Sequence, residues 1–110
     1  MALFKCTVCN YIYEGENTLD KCPMCGAPKE KMEAVSEDTS TKIYRADFTN
    51  GLHTDVIGMA TSIIALCEDG IEDNLDPMCV NVFNKAKDLA WEIKQLSKAE
   101  ISNHVRKEKY

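Results

Sequence analysis

The chain has no hydrophobic run long enough to cross a bilayer. Its longest, Val56 to Cys67, covers about 12 residues and is broken by Thr61 and Ser62, where a spanning helix needs ~20. The opening residues, Met1-Ala2-Leu3-Phe4-Lys5-Cys6, contain no secretory apolar region and no cleavage site, which predicts a cytoplasmic protein. An excess of base is missing too: 13 Lys and Arg stand against 18 Asp and Glu, a net charge of −5. That argues against sequence-independent nucleic-acid binding, which rests on Lys and Arg neutralising phosphates. Bulk is also short. With 110 residues the chain is one small unit or two very small ones, and a piece below about 40 residues usually needs a metal, a disulfide or a partner. What the sequence does have is six cysteines. In a reducing cytoplasm, closely spaced cysteine pairs hold metals or do redox chemistry more often than they form disulfides.

Charge is unevenly spread. Residues 1–34 carry 4 basic and 5 acidic groups, residues 35–78 carry 2 and 9, and residues 79–110 carry 7 and 4. Four cysteines fall in the first segment, whereas strong helical periodicity begins after residue 52. The reading is an α+β chain with a small metal domain over 1–35, a polar linker over 36–52 (Ser36-Glu37-Asp38-Thr39-Ser40-Thr41 at its start) and a helical hairpin over 53–110.

The first helix is expected to begin near Thr54 or Asp55. Its apolar set, Val56, Met59, Ala60, Ile63, Ile64 and Cys67, follows the 3.6 period, and Gly70 is a natural stop. Asp76-Pro77 opens the second helix, with Asp as cap and Pro at the first helical position. Val82, Ala86, Leu89, Ile93 and Leu96 then alternate spacings of four and three, a coiled-coil-like seam. Ser97 and Glu100 have capping-box spacing, so the helix either restarts there or runs on. Two helices leave one apolar face open. The reading covers it with a second copy, a homodimer through the helices, or with a docked protein.

Cys6-Thr7-Val8-Cys9-Asn10 and Cys22-Pro23-Met24-Cys25-Gly26 are two copies of one pattern: CxxC, then a residue that tolerates positive φ. Such a turn aims both sulfurs at one ion while its N–H groups donate to them. Two facing turns make a tetrahedral four-sulfur site with no open position, suited to zinc or a single iron.

The stretch Phe4-Lys5-Cys6-Thr7-Val8-Cys9-Asn10-Tyr11-Ile12-Tyr13-Glu14-Gly15, followed by Cys22-Pro23-Met24-Cys25-Gly26-Ala27-Pro28, resembles a rubredoxin domain of the compact type found in rubrerythrins. The resemblance covers residues 1–34. It departs from the family in carrying Asn10 where Gly is usual and in placing the domain first. It implies one iron per chain held by Cys6, Cys9, Cys22 and Cys25, cycling between ferric and ferrous states, with zinc as the alternative or substituted metal. By similarity Cys9 and Cys25 are the more exposed ligands, Val8 and Ala27 limit water access, and Tyr11 and Tyr13 fill the core; Asn10 and Gly26 shape the turns. The implied function is a one-electron carrier serving a partner oxidoreductase, not an enzyme in its own right. The alternative is a structural zinc ribbon whose helices form an interaction module.

The remaining candidates lie outside that segment. Cys67 and Cys79, at the end of one helix and the start of the next, read as buried thiols or as a regulatory or intermolecular disulfide. The basic set Lys94, Lys98, Arg106, Lys107 and Lys109 reads as a solvated helix end or as a docking surface for an acidic redox partner. His53 and His104 read as surface or capping residues, Trp91 as core or interface. A di-iron centre would require Glu-x-x-His, and Glu100 with His104 is spaced by four, not three.

Overall fold

The computed structural model describes residues 2–110 and separates into two compact units, the first ending at Tyr44 and the second covering Arg45–Tyr110. The first is built on three short strands, β1 (Ala2–Cys6), β2 (Ile12–Gly15) and β3 (Met32–Ala34), in the order β2-β1-β3. Both pairings are antiparallel, with Phe4 opposite Tyr13 and Ala34, and Cys6 opposite Met32. Sheet this small cannot bury much. Its core is Cys6, Cys22, Ala27 and Met32, with Cys9, Tyr11 and Tyr13 packed against it. Phe4 and Tyr11 each stack on Tyr13, at ring separations of 5.5 and 6.0 Å. The Tyr13 hydroxyl in turn accepts from the Leu19 N–H at 2.8 Å, which ties the loop between the cysteine pairs to the sheet.

Two long helices follow, α1 (Glu37–Asp73) and α2 (Pro77–Arg106). The segment expected to be a linker, 36–52, is therefore helical from Glu37 onward, and the helix does not wait for Thr54. Ser36 caps it: its Oγ accepts the Thr39 N–H at 3.2 Å, and Glu37 and Asp38 complement the helix dipole in the first turn. Gly70 is not a stop. The helix runs on to Asp73, and Gly70 instead lets Phe83 close on the backbone, since a Cβ there would lie 2.3 Å from the ring. At α2 the expected start holds, with Asp76 Oδ1 accepting the Cys79 N–H at 2.8 Å and Pro77 at the first position. No break occurs at Ser97; α2 is continuous to Arg106.

Within the second unit the helices form an antiparallel hairpin. Phe83 meets Gly70, Lys87 pairs with Glu68 at 3.3 Å, and Ser97 bonds His53 at 3.1 Å. The seam between them differs from the expected one. On α1 it is drawn from Ala46, Asn50, His53, Ala60, Ile64 and Cys67, and on α2 from Phe83, Ala90, Ser97 and His104, all buried or half-buried, with Ala86 half-buried at its edge. Small side chains permit close approach of the two backbones. By contrast Val82, Leu89, Ile93 and Leu96, expected to form the seam, are exposed, as are Val56, Met59 and Ile63 of α1. No described helix is long and apolar enough to cross a membrane.

Candidate metal centre

Each cysteine pair sits on a tight turn, and the two turns are built alike. Asn10 N–H donates to the Cys6 carbonyl and Gly26 N–H to the Cys22 carbonyl, both at 2.9 Å. The Cys6 N–H donates to Tyr11 O at 2.8 Å and the Cys22 N–H to Ala27 O at 2.9 Å. Closing the turn this way forces the residue after the second cysteine into the left-handed region, where Asn10 has φ 70° and Gly26 φ 76°. Asn and Gly are the residues that take that conformation at least cost.

The turns face each other. Cys6 Sγ lies 3.7 Å from Cys25 Sγ, Cys9 Sγ lies 3.6 Å from Cys22 Sγ, and all four sulfurs fall within 4.8 Å of one another. A tetrahedron with metal–sulfur bonds of about 2.3 Å has edges of about 3.8 Å, and the two short edges match it. Among the described residues these four form the one metal-capable cluster of His, Cys, Asp and Glu side chains.

Turn N–H groups aim at the sulfurs. Cys6 Sγ accepts from Cys9 and Val8, Cys22 Sγ from Cys25 and Met24, Cys9 Sγ from Tyr11, and Cys25 Sγ from Ala27. The donors shape the acidities. The Cys9 N–H, above all, holds the Cys6 thiol below its ordinary range. Burial works against ionisation of Cys22, yet the Cys25 and Met24 N–H groups outweigh it and bring that thiol down to about 6. At Cys9 the Tyr11 N–H is outweighed by burial and by the three neighbouring cysteines, which push it up to about 12. At Cys25 the Ala27 N–H is likewise outweighed, by burial and the Cys6 and Cys22 sulfurs, and the thiol is raised. Each turn thus lowers one thiol and raises the other, and a cation among the four sulfurs would favour ionisation of them all.

Cys6 and Cys22 are buried, Cys9 half-buried and Cys25 exposed. Ala27 is buried, while Val8 stands 60% exposed on the outer side. Three contributors escaped the sequence reading. Met32 is buried opposite Cys6. Met24 is 70% exposed at the position in the second turn that Val8 holds in the first, a correspondence visible once the two motifs are aligned. Thr7 braces its turn by donating from both its N–H and its Oγ1 to Lys31 O, each at 2.9 Å.

Away from the cage, Cys67 is buried and Cys79 half-buried, and neither is in a disulfide. Pairing of Gly70 with Phe83 and Glu68 with Lys87 sets the two cysteines about two helical turns apart, ~10 Å along the axis. An intramolecular bridge does not fit that register. The basic set is dispersed. Lys94 lies over the Trp91 ring at 4.9 Å, Lys98 is exposed one turn further on, and Arg106, about 120° around the helix from Lys94, bonds Asn103 at 2.9 Å. Lys107 and Lys109 lie beyond the helix, and the Lys109 carbonyl accepts from Asn50 Nδ2 at 2.8 Å. The histidines are half-buried in the seam: His53 Nδ1 pairs with Ser97, and His104 bonds Asn50 through Nδ1 and Glu100 through Nε2, the latter at 3.1 Å.

Comparison with known proteins agrees with this geometry. Residues 4–33 match the family model described as rubrerythrin, rubredoxin-like domain. Over 38 residues, 34% of this chain, the sequence is 53% identical to reverse rubrerythrin-1 of Clostridium acetobutylicum, and that match covers 21% of the clostridial protein. The match thus spans about a fifth of that relative's length. No solved structure matches the chain. The N-terminal segment is rubredoxin-like.

Proposed function

We propose that this rubredoxin-like segment makes the chain a one-electron carrier, with Cys6, Cys9, Cys22 and Cys25 holding one iron ion. Bound there, iron supplies a ferric/ferrous couple. The observation that carries the reading is the cage itself: four sulfurs within 4.8 Å of one another, each accepting backbone N–H bonds. Those donors spread negative charge off the sulfurs and favour the reduced, more negative state of the site. Two rigid turns hold the ligands in one geometry, so little rearrangement opposes a change of one electron.

The chain's own residues also give the electron a direction. Cys6 and Cys22 are buried together with Met32 and Ala27, whereas Cys25 is exposed, as are Val8 and Met24 at matching positions of the two turns. That apolar rim is where a partner oxidoreductase approaches. The dispersed lysines of α2 are not needed for this, because the rim lies within the same unit as the cage. The name of the clostridial relative, a reverse rubrerythrin, is in keeping with a redox role in a larger system, to which this chain contributes electrons and not a substrate site.

The test is the visible absorption of protein purified without added metal, before and after dithionite, with elemental analysis of the same sample. The expected result is a coloured protein with about one iron per chain that bleaches on reduction and recovers in air. Colourless protein carrying zinc, obtained again from iron-rich medium, establishes the structural zinc-ribbon alternative instead.

A further inference from the structure

Each helix of the hairpin carries a second apolar stripe besides the seam it uses. If the seam positions of α1 are lettered a and d of a heptad (Asn50, His53, Ile57, Ala60, Ile64, Cys67), then Leu52, Val56, Met59, Ile63 and Leu66 fall on c and g. On α2, with Lys87, Ala90, Lys94 and Ser97 as a and d, the c and g positions are Val82, Ala86, Leu89, Ile93 and Leu96. All ten are apolar, without interruption, over three turns or more of each helix. Antiparallel helices place like heptad letters on the same side, so the two stripes merge into one face of the hairpin. Within the span of the stripe the flanking positions at f are different in kind: Asp55 and Ser62 on α1, Lys85 and Glu92 on α2.

The face is open in the single chain. Its c positions are the most exposed, with Met59 at 69%, Leu66 at 66%, Leu89 at 61% and Leu96 at 65%. The exposed parts of its large side chains amount to roughly 900 Å² per copy, about the ~800 Å² per partner of a standard stable interface. Water-soluble surfaces rarely carry so large a contiguous apolar patch without a use for it.

We infer that the occupant of this face is a second copy of the same chain, packed as a four-helix bundle in which α1 of each copy lies against α2 of the other. Charge selects that pairing. The part of α1 in this unit, 45–73, has six acidic and one basic residue, whereas α2 has three acidic and five basic. A two-fold axis that crosses α1 onto the partner's α2 sets unlike charge together on both sides, and packing like helices together would oppose acid with acid. Heptad spacing on both partners is the pattern such bundles use. The inference stands apart from the metal reading, since every residue in it belongs to the second unit.

The test begins with the full metal-loaded chain, by light scattering during size exclusion and by sedimentation equilibrium over micromolar concentrations. The expected mass is that of two chains. A one-chain mass at ~100 μM overturns the proposal and assigns the face to another protein. A two-fold axis along the helices keeps every residue at its own level, and the Glu68–Lys87 pair puts Leu66 level with Leu89. Leu66→Lys and Leu89→Glu, each made alone, should weaken dimerisation tenfold or more while circular dichroism shows helix content retained. Mixing the two variants should restore a two-chain species, because Lys and Glu then meet across α1 and the partner's α2. A mixture that stays monomeric, or single variants whose mass is unchanged, contradicts the pairing. Asn81→Glu, on the opposite side of α2, is the control expected to leave the mass unaltered.

Discussion

The two units solve the problem of a small core in opposite ways. In the first, the side chains around the cysteines turn inward on a cage of four sulfurs: Cys6, Cys22, Ala27 and Met32 are buried, and three aromatics stack behind them. In the second, Ala60, Ile64, Cys67, Ala90 and Ser97 are buried in the seam while Met59, Leu66, Leu89 and Leu96 are exposed. The comparison teaches that neither unit buries a large apolar core of its own. The first gathers four sulfurs able to hold a metal; the second leaves an apolar stripe exposed.

The comparison breaks most sharply if the metal is taken away. Chelation, or replacing the buried Cys6 by Ala, should unfold the first unit and leave the hairpin helical, since structural metal sites contribute on the order of 10 kcal/mol to domains of this kind. Amide hydrogen exchange of the full chain would show protection lost before about residue 36 and kept after residue 45.

Within the hairpin, two glycines should respond in opposite directions. Gly70→Ala puts a Cβ 2.3 Å from the Phe83 ring and should destabilise by about 1–3 kcal/mol, the usual cost of overpacking. Gly58 has nothing within 4 Å of where its Cβ would stand, so Gly58→Ala should stabilise by about 0.5–1 kcal/mol through helix propensity alone. Urea titrations followed at the helix band measure both.

In the first unit, Asn10→Ala should cost about 1–2 kcal/mol because φ is 70° there, and Asn10→Gly should cost little. Metal-release rates with a chelator would report the difference. The smallest effect concerns Tyr44, whose hydroxyl donates to the Glu14 carboxylate. That hydrogen bond, with burial and the carboxylate's charge added, raises the phenol above its ordinary range. A raised folded value means the contact contributes below the unfolded tyrosine value of about 10 and is lost as pH climbs through the folded one. Glu14→Gln should lower that titration, seen in the tyrosinate ultraviolet band.

The cage was legible in the sequence because its chemistry fixes its spelling. Two CxxC turns each followed by Asn10 or Gly26 leave few alternatives, and the geometry places those four sulfurs together. The hairpin was legible in kind and in its Asp76-Pro77 start, less so in detail. The early start of α1 lay in Ser36-Glu37-Asp38, a cap and an acidic first turn, but Thr39-Ser40-Thr41 and Gly51 are weak helix formers and masked it. The seam was misread for a deeper reason. Periodicity says which residues share a stripe; it does not say what covers the stripe. Val82, Leu89, Ile93 and Leu96 made the stronger apolar pattern, whereas Ala60, Cys67, Ala90 and Ser97 were chosen for close approach and left almost no hydrophobic signal.

The measurement that bears most directly on the proposed role is a potentiometric titration of the iron-loaded full chain, followed through its visible sulfur-to-iron absorption. A single reversible one-electron wave is expected, with helix content unchanged between the two states. Iron that stays ferrous or ferric across the accessible range, or that leaves the protein on reduction, would contradict an electron-carrying role for the four cysteines.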